Sequence, residues 1–134
     1  MRAREIRSFQ QTVYAHAEKI FRPMPWRDNT EPYYIFISEV MLQQTQVDRV
    51  LARFEPFIKK FPSFEKLAGS PLSDVFSCWQ GLGYNRRAKW LRDAARQIVD
   101  TFDGKLPDTV EQLSSLPGIG RNTAAAILVY AFNL

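Results

Sequence analysis

Apolar residues recur at three- and four-residue steps along most of the chain, and no segment alternates convincingly as a half-buried strand does. Ile6, Phe9, Val13, Ala17 and Ile20 mark a first amphipathic helix, ended by Pro23 and Pro25. The run beginning at Pro32 and reaching Leu42 is apolar all round, the pattern of a buried helix, with Pro32 suited to its first position. A third helix carries Val47, Val50, Leu51, Phe54, Phe57, Ile58 and Phe61 on one face, and Pro56 within it predicts a kink or a split. Ser63 and Ser70 are expected to cap two short helices, the second opening on Pro71 and stopping at Gly81. A long helix then turns Ala88, Leu91, Ala95, Ile98, Val99 and Phe102 inward and ends at Asp103-Gly104. Asp108 and Glu111 resemble a capping box for a helix reaching Leu116, and a final helix occupies 121–132. The fold class this predicts is all-α, many short helices joined by tight turns.

Composition narrows the function classes. With 134 residues and 46% hydrophobic content, the chain suits one domain with a real core. A net charge of +4 fits nucleic-acid binding without demanding it. Cys78 is the only cysteine, which excludes an internal disulfide or a multi-cysteine metal site made by this chain alone and points to a reducing cytosol. His16 is the only histidine, so a histidine triad or cluster is not expected. The N-terminal stretch is punctuated by charge and matches neither a signal peptide nor a membrane span, so no membrane partner is expected.

Four constellations carry chemistry. Glu39 is the one formal charge between Glu31 and Asp48, inside the apolar helix. Desolvation there would raise its pKa and suit it to act as a general acid; a structural carboxylate paired with an arginine is the alternative. Leu116-Pro117-Gly118-Ile119-Gly120 joins two helices and is followed by Arg121-Asn122-Thr123. Its glycines permit a sharp turn and close approach of a ligand, and the N–H groups at the start of the next helix favour an anion. With Ile119 plugging the turn into the core, this is a helix–hairpin–helix, a device that grips a DNA phosphate without reading sequence; an ordinary tight connection is the alternative. In Gly81-Leu82-Gly83-Tyr84-Asn85-Arg86-Arg87, either Leu82 and Tyr84 wedge between base steps while Arg86, Arg87 or Lys89 meets phosphates, or leucine and tyrosine close a helix connection under solvated arginines. Gln43 and Gln44 either contact base edges or cap the helix end.

Taken in order, Pro25-Trp26-Arg27, the block Ser38-Glu39-Val40-Met41-Leu42-Gln43-Gln44-Thr45-Gln46-Val47, Gly81-Leu82-Gly83-Tyr84 and Leu116-Pro117-Gly118-Ile119-Gly120-Arg121 resemble the adenine DNA glycosylases of the MutY type, members of the helix–hairpin–helix glycosylase superfamily and relatives of endonuclease III. The resemblance spans essentially the whole chain. It implies base excision repair of double-stranded DNA: extrusion of an adenine mispaired with 8-oxoguanine or guanine, and hydrolysis of its glycosidic bond. By that similarity Glu39 protonates adenine N7; Trp26, Arg27, Gln43, Gln44 and Thr45 bind substrate, with Gln44 and Tyr84 entering the base stack; and Leu82, Tyr84, Arg86, Arg87, Gly118, Gly120, Arg121, Asn122 and Thr123 bind DNA. Asn122 stands where the bifunctional branch has a catalytic lysine, which favours simple hydrolysis over lyase chemistry. The alternatives are a mismatch thymine or uracil glycosylase of the same superfamily and a catalytically inert DNA-binding module.

The resemblance also implies parts beyond this sequence. No Asp or Glu follows Glu111, so the family's second carboxylate is not expected here, nor are the cysteines of its iron–sulfur cluster or its 8-oxoguanine-recognising domain. The expected architecture is an N-terminal helix and loop over 1–28 and a six-helix-barrel domain over 29–134, incomplete at its C-terminus, with the hairpin at about 108–132. No metal-ligating residue is expected in this chain, little activity is expected of the chain by itself, and self-association through the first helix is expected. The expected location is the cytoplasm, on the nucleoid in a bacterium.

Overall fold

A computed structural model describes residues 31–134. The expected first helix with its self-association face, His16, Trp26, Arg27 and the boundary at 28/29 lie outside the described residues. Within them the chain forms seven α-helices and no strand. They are α1 (Pro32–Leu42), α2 (Val47–Lys60), α3 (Phe64–Ala68), α4 (Leu72–Trp79), α5 (Arg86–Phe102), α6 (Val110–Ser114) and α7 (Arg121–Phe132). The all-α expectation holds.

Helix α1 is built largely from aromatic and β-branched residues, which are middling helix formers. Its stability therefore comes from packing: α2, α5 and α7 all lie against it, and Phe36, Ile37 and Met41 are completely buried. Tyr33 shows how its polar groups are accommodated. Its ring meets Phe64 edge-on at 4.8 Å and its hydroxyl donates to the Phe61 carbonyl at 2.5 Å. Burial holds that phenol far above its ordinary pKa. Ser38, also buried, donates to the Ile35 carbonyl at 2.9 Å. The second packing centre is α5, which receives α3 and α4 on the stripe that includes Leu91, Ala94, Ala95 and Ile98.

Several local expectations shift. Helix α2 is continuous across Pro56. Both Pro56 and Ala52, whose carbonyl loses its helical partner, are exposed, so water can satisfy that carbonyl. Ser63 accepts from the Lys66 N–H and caps α3 as expected. Ser70 instead donates to the Lys66 carbonyl at 2.7 Å, closing the end of α3, while extended Pro71 becomes the residue before α4. The capping box lies one residue later than predicted. Thr109 accepts from the Gln112 N–H at 3.1 Å and donates to its side-chain oxygen at 3.2 Å, in the register that buries Leu113. Helix α6 ends at Ser114, two residues before Leu116. Asp103 and Gly104 terminate α5 in left-handed conformations as anticipated.

Phe36, buried on α1 with its ring 5.5 Å from that of Phe64, tests whether α1 is the core's keystone. Phe36→Ala is expected to lower the unfolding free energy by about 3–5 kcal/mol, read from urea denaturation with an unchanged m-value.

Candidate active site and nucleic-acid interface

Helix α1 is enclosed except at its start, where Pro32 and Tyr34 are half-buried, and along one stripe towards its end. Glu39, Leu42 and Gln43, spaced to share a face, are half-buried between the buried Ser38, Val40 and Met41. This corrects the expectation of a helix buried on every side with a fully desolvated Glu39. The reason lies in the neighbours: three helices pack around α1 and leave this stripe open. Gln43 ties the stripe to the hairpin, its amide donating to the Thr123 hydroxyl at 2.9 Å. The C-terminal end of α1, with Glu39 one turn away, is thereby held against the first turn of α7.

The hairpin has the anticipated form. Ile119 is buried, its N–H bonds the Leu116 carbonyl at 3.2 Å, and α7 starts at Arg121. Gly118 has φ +76°. A β-carbon there would lie 3.0 Å from Trp90, which stands under the turn on α5 and is not among the residues expected to matter. Gly120 is extended, and a β-carbon on it would meet no protein atom within 4 Å. Its requirement is thus not internal. No side chain caps α7, and the ladder begins with Ala124 N–H to Gly120 carbonyl at 2.9 Å, so the earlier N–H groups of Arg121, Asn122 and Thr123 lie at the positively polarised helix start. Arg121 and Asn122 are exposed; Thr123 is half-buried through its bond to Gln43.

The glycine-rich turn before α5 separates the residues that were expected to act together. Tyr84 is 64% exposed, whereas Leu82 is 1% exposed and belongs to the core. Leu82 as a wedge is therefore corrected: its side chain is used to anchor the turn. Arg86 is exposed, but Arg87 is buried, and its assignment to a DNA phosphate is corrected as well. Helical spacing placed Arg87 on the same inward stripe as Leu91, Ala94 and Ile98, a signal outweighed in the sequence by its charge. Its guanidinium donates to the carbonyls of Val40 and Met41 (both 2.9 Å), Gln43, Leu82 (3.2 Å) and Gly83 (3.1 Å), and to the Thr45 hydroxyl at 2.5 Å. Thr45 in turn donates to the Leu82 carbonyl at 3.0 Å, so its hydroxyl is committed within the protein. Lys89 pairs with Asp93 at 2.7 Å along the surface of α5.

Two non-glycine residues here are left-handed, Gln44 at φ 57° and Tyr84 at φ 50°, and both are exposed. Such backbone costs of order 1–3 kcal/mol per residue and persists where its surroundings over-determine it. Helix α1 thus ends, and α5 begins, with one exposed strained residue each, on either side of Arg87.

The class these features define is that of the helix–hairpin–helix DNA glycosylases: residues 37–129 match the HhH-GPD superfamily of base excision DNA repair proteins, and the chain belongs to that family. Among curated proteins it is 41% identical over 129 residues to the adenine DNA glycosylase of Buchnera aphidicola subsp. Baizongia pistaciae, covering 94% of this chain and 36% of that protein. It is 37% identical over 137 residues to the human adenine DNA glycosylase, covering 96% of this chain and 25% of that protein. The chain thus spans about a quarter to a third of the length of these relatives. A thermostable thymine-DNA glycosylase structure superimposes with a TM-score of 0.79 at 29% identity, over 97% of this chain and 60% of that one. Endonuclease III in a non-covalent DNA complex shares the fold, with a TM-score of 0.77 at 20% identity over 99% of this chain and 61% of that one. Among the described residues no helix is long and apolar enough to cross a membrane.

The two hairpin glycines should respond differently to alanine. Gly118→Ala, strained in φ and pressed on Trp90, is expected to cost about 1–3 kcal/mol of stability. Gly120→Ala, with open space around it, is expected to cost no more than about 1 kcal/mol, as a helix-start residue. Thermal melts of both variants check this.

Proposed function

We propose that this chain is the lesion-gripping and acid-bearing part of an adenine DNA N-glycosylase that acts on adenine mispaired with 8-oxoguanine or guanine in duplex DNA. The observation that carries the reading is the grouping of Glu39, on the open stripe of α1, with the exposed Gln44 and Tyr84 and with the uncapped start of α7. The adenine glycosylase names of the relatives support it.

In this reading the uncapped start of α7 and the turn at Gly118 and Gly120 take a backbone phosphate. Gln44 and Tyr84 enter the stack and offset part of the few kcal/mol needed to extrude a base. Glu39 gives its proton to adenine N7. The C1′–N9 bond then breaks, its electron pair passes into the departing base, and water adds to the oxocarbenium carbon with loss of a proton. That cation calls for a second carboxylate to stabilise it. Cys78, half-buried on α4, does not by itself make the four-thiolate set of an iron–sulfur cluster.

The isolated chain is expected to bind duplex DNA weakly, with affinity falling steeply as salt rises. Gly120→Ala is expected to weaken that binding about ten-fold, a loss of about 1.4 kcal/mol, while leaving the melt nearly unchanged; unaltered affinity would remove the phosphate grip from this turn. Excision is tested in a chimaera joining this chain to the remainder of an adenine DNA glycosylase relative. It should release adenine opposite 8-oxoguanine and spare thymine opposite guanine. Glu39→Gln in that chimaera should slow release by about 10²–10⁴-fold while lesion binding is kept. Release of thymine instead, or adenine release that survives the substitution, would sink the assignment.

A further inference from the structure

Arg87 occupies a position that the glycosylase reading leaves without a role. It is 4% exposed, and burial pulls its guanidinium below its ordinary pKa while the nearby Tyr84 acts the other way. An arginine stays charged even so, and its placement therefore needs compensation. The compensation comes from two separate segments. The Val40, Met41 and Gln43 carbonyls form the negatively polarised end of α1, where Val40 also accepts from the Gln43 N–H at 3.3 Å. The Leu82 and Gly83 carbonyls belong to the turn that leads into α5. Thr45 stitches the two, accepting from Arg87 and donating to Leu82.

These bonds bracket the two strained residues. Gln44 lies between Gln43, whose carbonyl is held, and Thr45, whose hydroxyl is held. Tyr84 follows Gly83, whose carbonyl is held, and its ring lies 5.9 Å from the guanidinium carbon, with the Trp79 ring at 5.1 Å. Trp79 adds a bond of its own from its indole N–H to the Gly83 carbonyl at 3.1 Å. A planar fork can reach both segments at once; a lysine ammonium, with three donors on a single atom, cannot.

We propose that Arg87 is a positioning residue that locks Gln44 and Tyr84 into one rigid two-pronged wedge, and that this lock, rather than any phosphate contact, sets the preference for mispaired over matched duplex. The proposal rests on the reading above, in which Gln44 and Tyr84 enter the stack. Without the lock both prongs relax out of their left-handed conformations, and the protein must order them on each encounter, so the preference falls while phosphate gripping persists.

The test compares Arg87→Lys and Thr45→Val with the wild-type chain, at a temperature where melts show each folded. Affinity is measured for one duplex with adenine opposite 8-oxoguanine and for the same duplex fully matched, across a salt series. Expected is a loss of about ten-fold in the lesion-to-matched ratio for Arg87→Lys and about three-fold for Thr45→Val, with the salt slope unchanged. In a Tyr84→Ala background, Arg87→Lys should cost only about three-fold further, because the Gln44 prong alone is left to be locked. Thr45→Val leaves no buried charge unpaired and carries the test where Arg87→Lys does not fold. A ratio unchanged in the folded variants, losses that simply add, or a shallower salt slope in Arg87→Lys overturns the lock while leaving the glycosylase reading intact. A wild-type chain with no lesion preference overturns that reading and the lock with it.

Discussion

A charged guanidinium buried against the end of an apolar helix is the interaction on which the site depends. Helix α1 ends in carbonyls that its own backbone pairs only in part, through the Gln43 N–H on Val40, and the rest need donors from elsewhere. Arg87 satisfies them from the first turn of α5, and with the same side chain it satisfies the Leu82 and Gly83 carbonyls. The end of α1 and the glycine turn therefore cannot move independently. Removing the cation would take a donor from each of these carbonyls at once, leaving Val40 to the Gln43 N–H, Leu82 to the Thr45 hydroxyl and Gly83 to the Trp79 indole.

Around that contact the hydrophobic packing does the rest. Helix α1 folds because α2, α5 and α7 supply apolar surface on most of its sides. The stripe they leave holds Glu39, Leu42 and Gln43. The bond from Gln43 to Thr123 sets this stripe beside the hairpin, whose turn is in turn supported by Trp90 and plugged by Ile119. Glu39, the hairpin and the exposed Gln44 and Tyr84 thus share a frame made from a few helix ends. The backbone at the end of α1 and at the glycine turn is held by the Arg87, Thr45 and Trp79 side chains.

Much of this was legible in the residues. Periodicity located α2 and α5, because each buries a defined face, an unbroken apolar run after Pro32 located α1, and Gly118 with Ile119 announced the hairpin, because a left-handed turn position and a plugging aliphatic residue leave a local signature. Caps were less secure. Asp108–Glu111 and Thr109–Gln112 are both plausible boxes on local chemistry, and the burial of Leu113 chose the second. Leu82 and Arg87 were misread in a motif whose glycines were read correctly, since a leucine between glycines and an arginine at a helix start look the same whether they face solvent or the core.

The amino-acid order by itself determined the all-α class, the helix faces, the hairpin and the presence of one carboxylate within an apolar run, all properties set by contacts a few residues apart. Tertiary structure alone decided that Glu39 is half-buried on an open stripe, that Arg87 points inward, and that Gln44 and Tyr84 are braced by the same cation. The bonds from Arg87 to the end of α1 join residues more than forty positions apart, and the free energy that selects them is the satisfaction of carbonyls by a distant donor, of which helical spacing alone gives only the inward direction of Arg87 and not its partners.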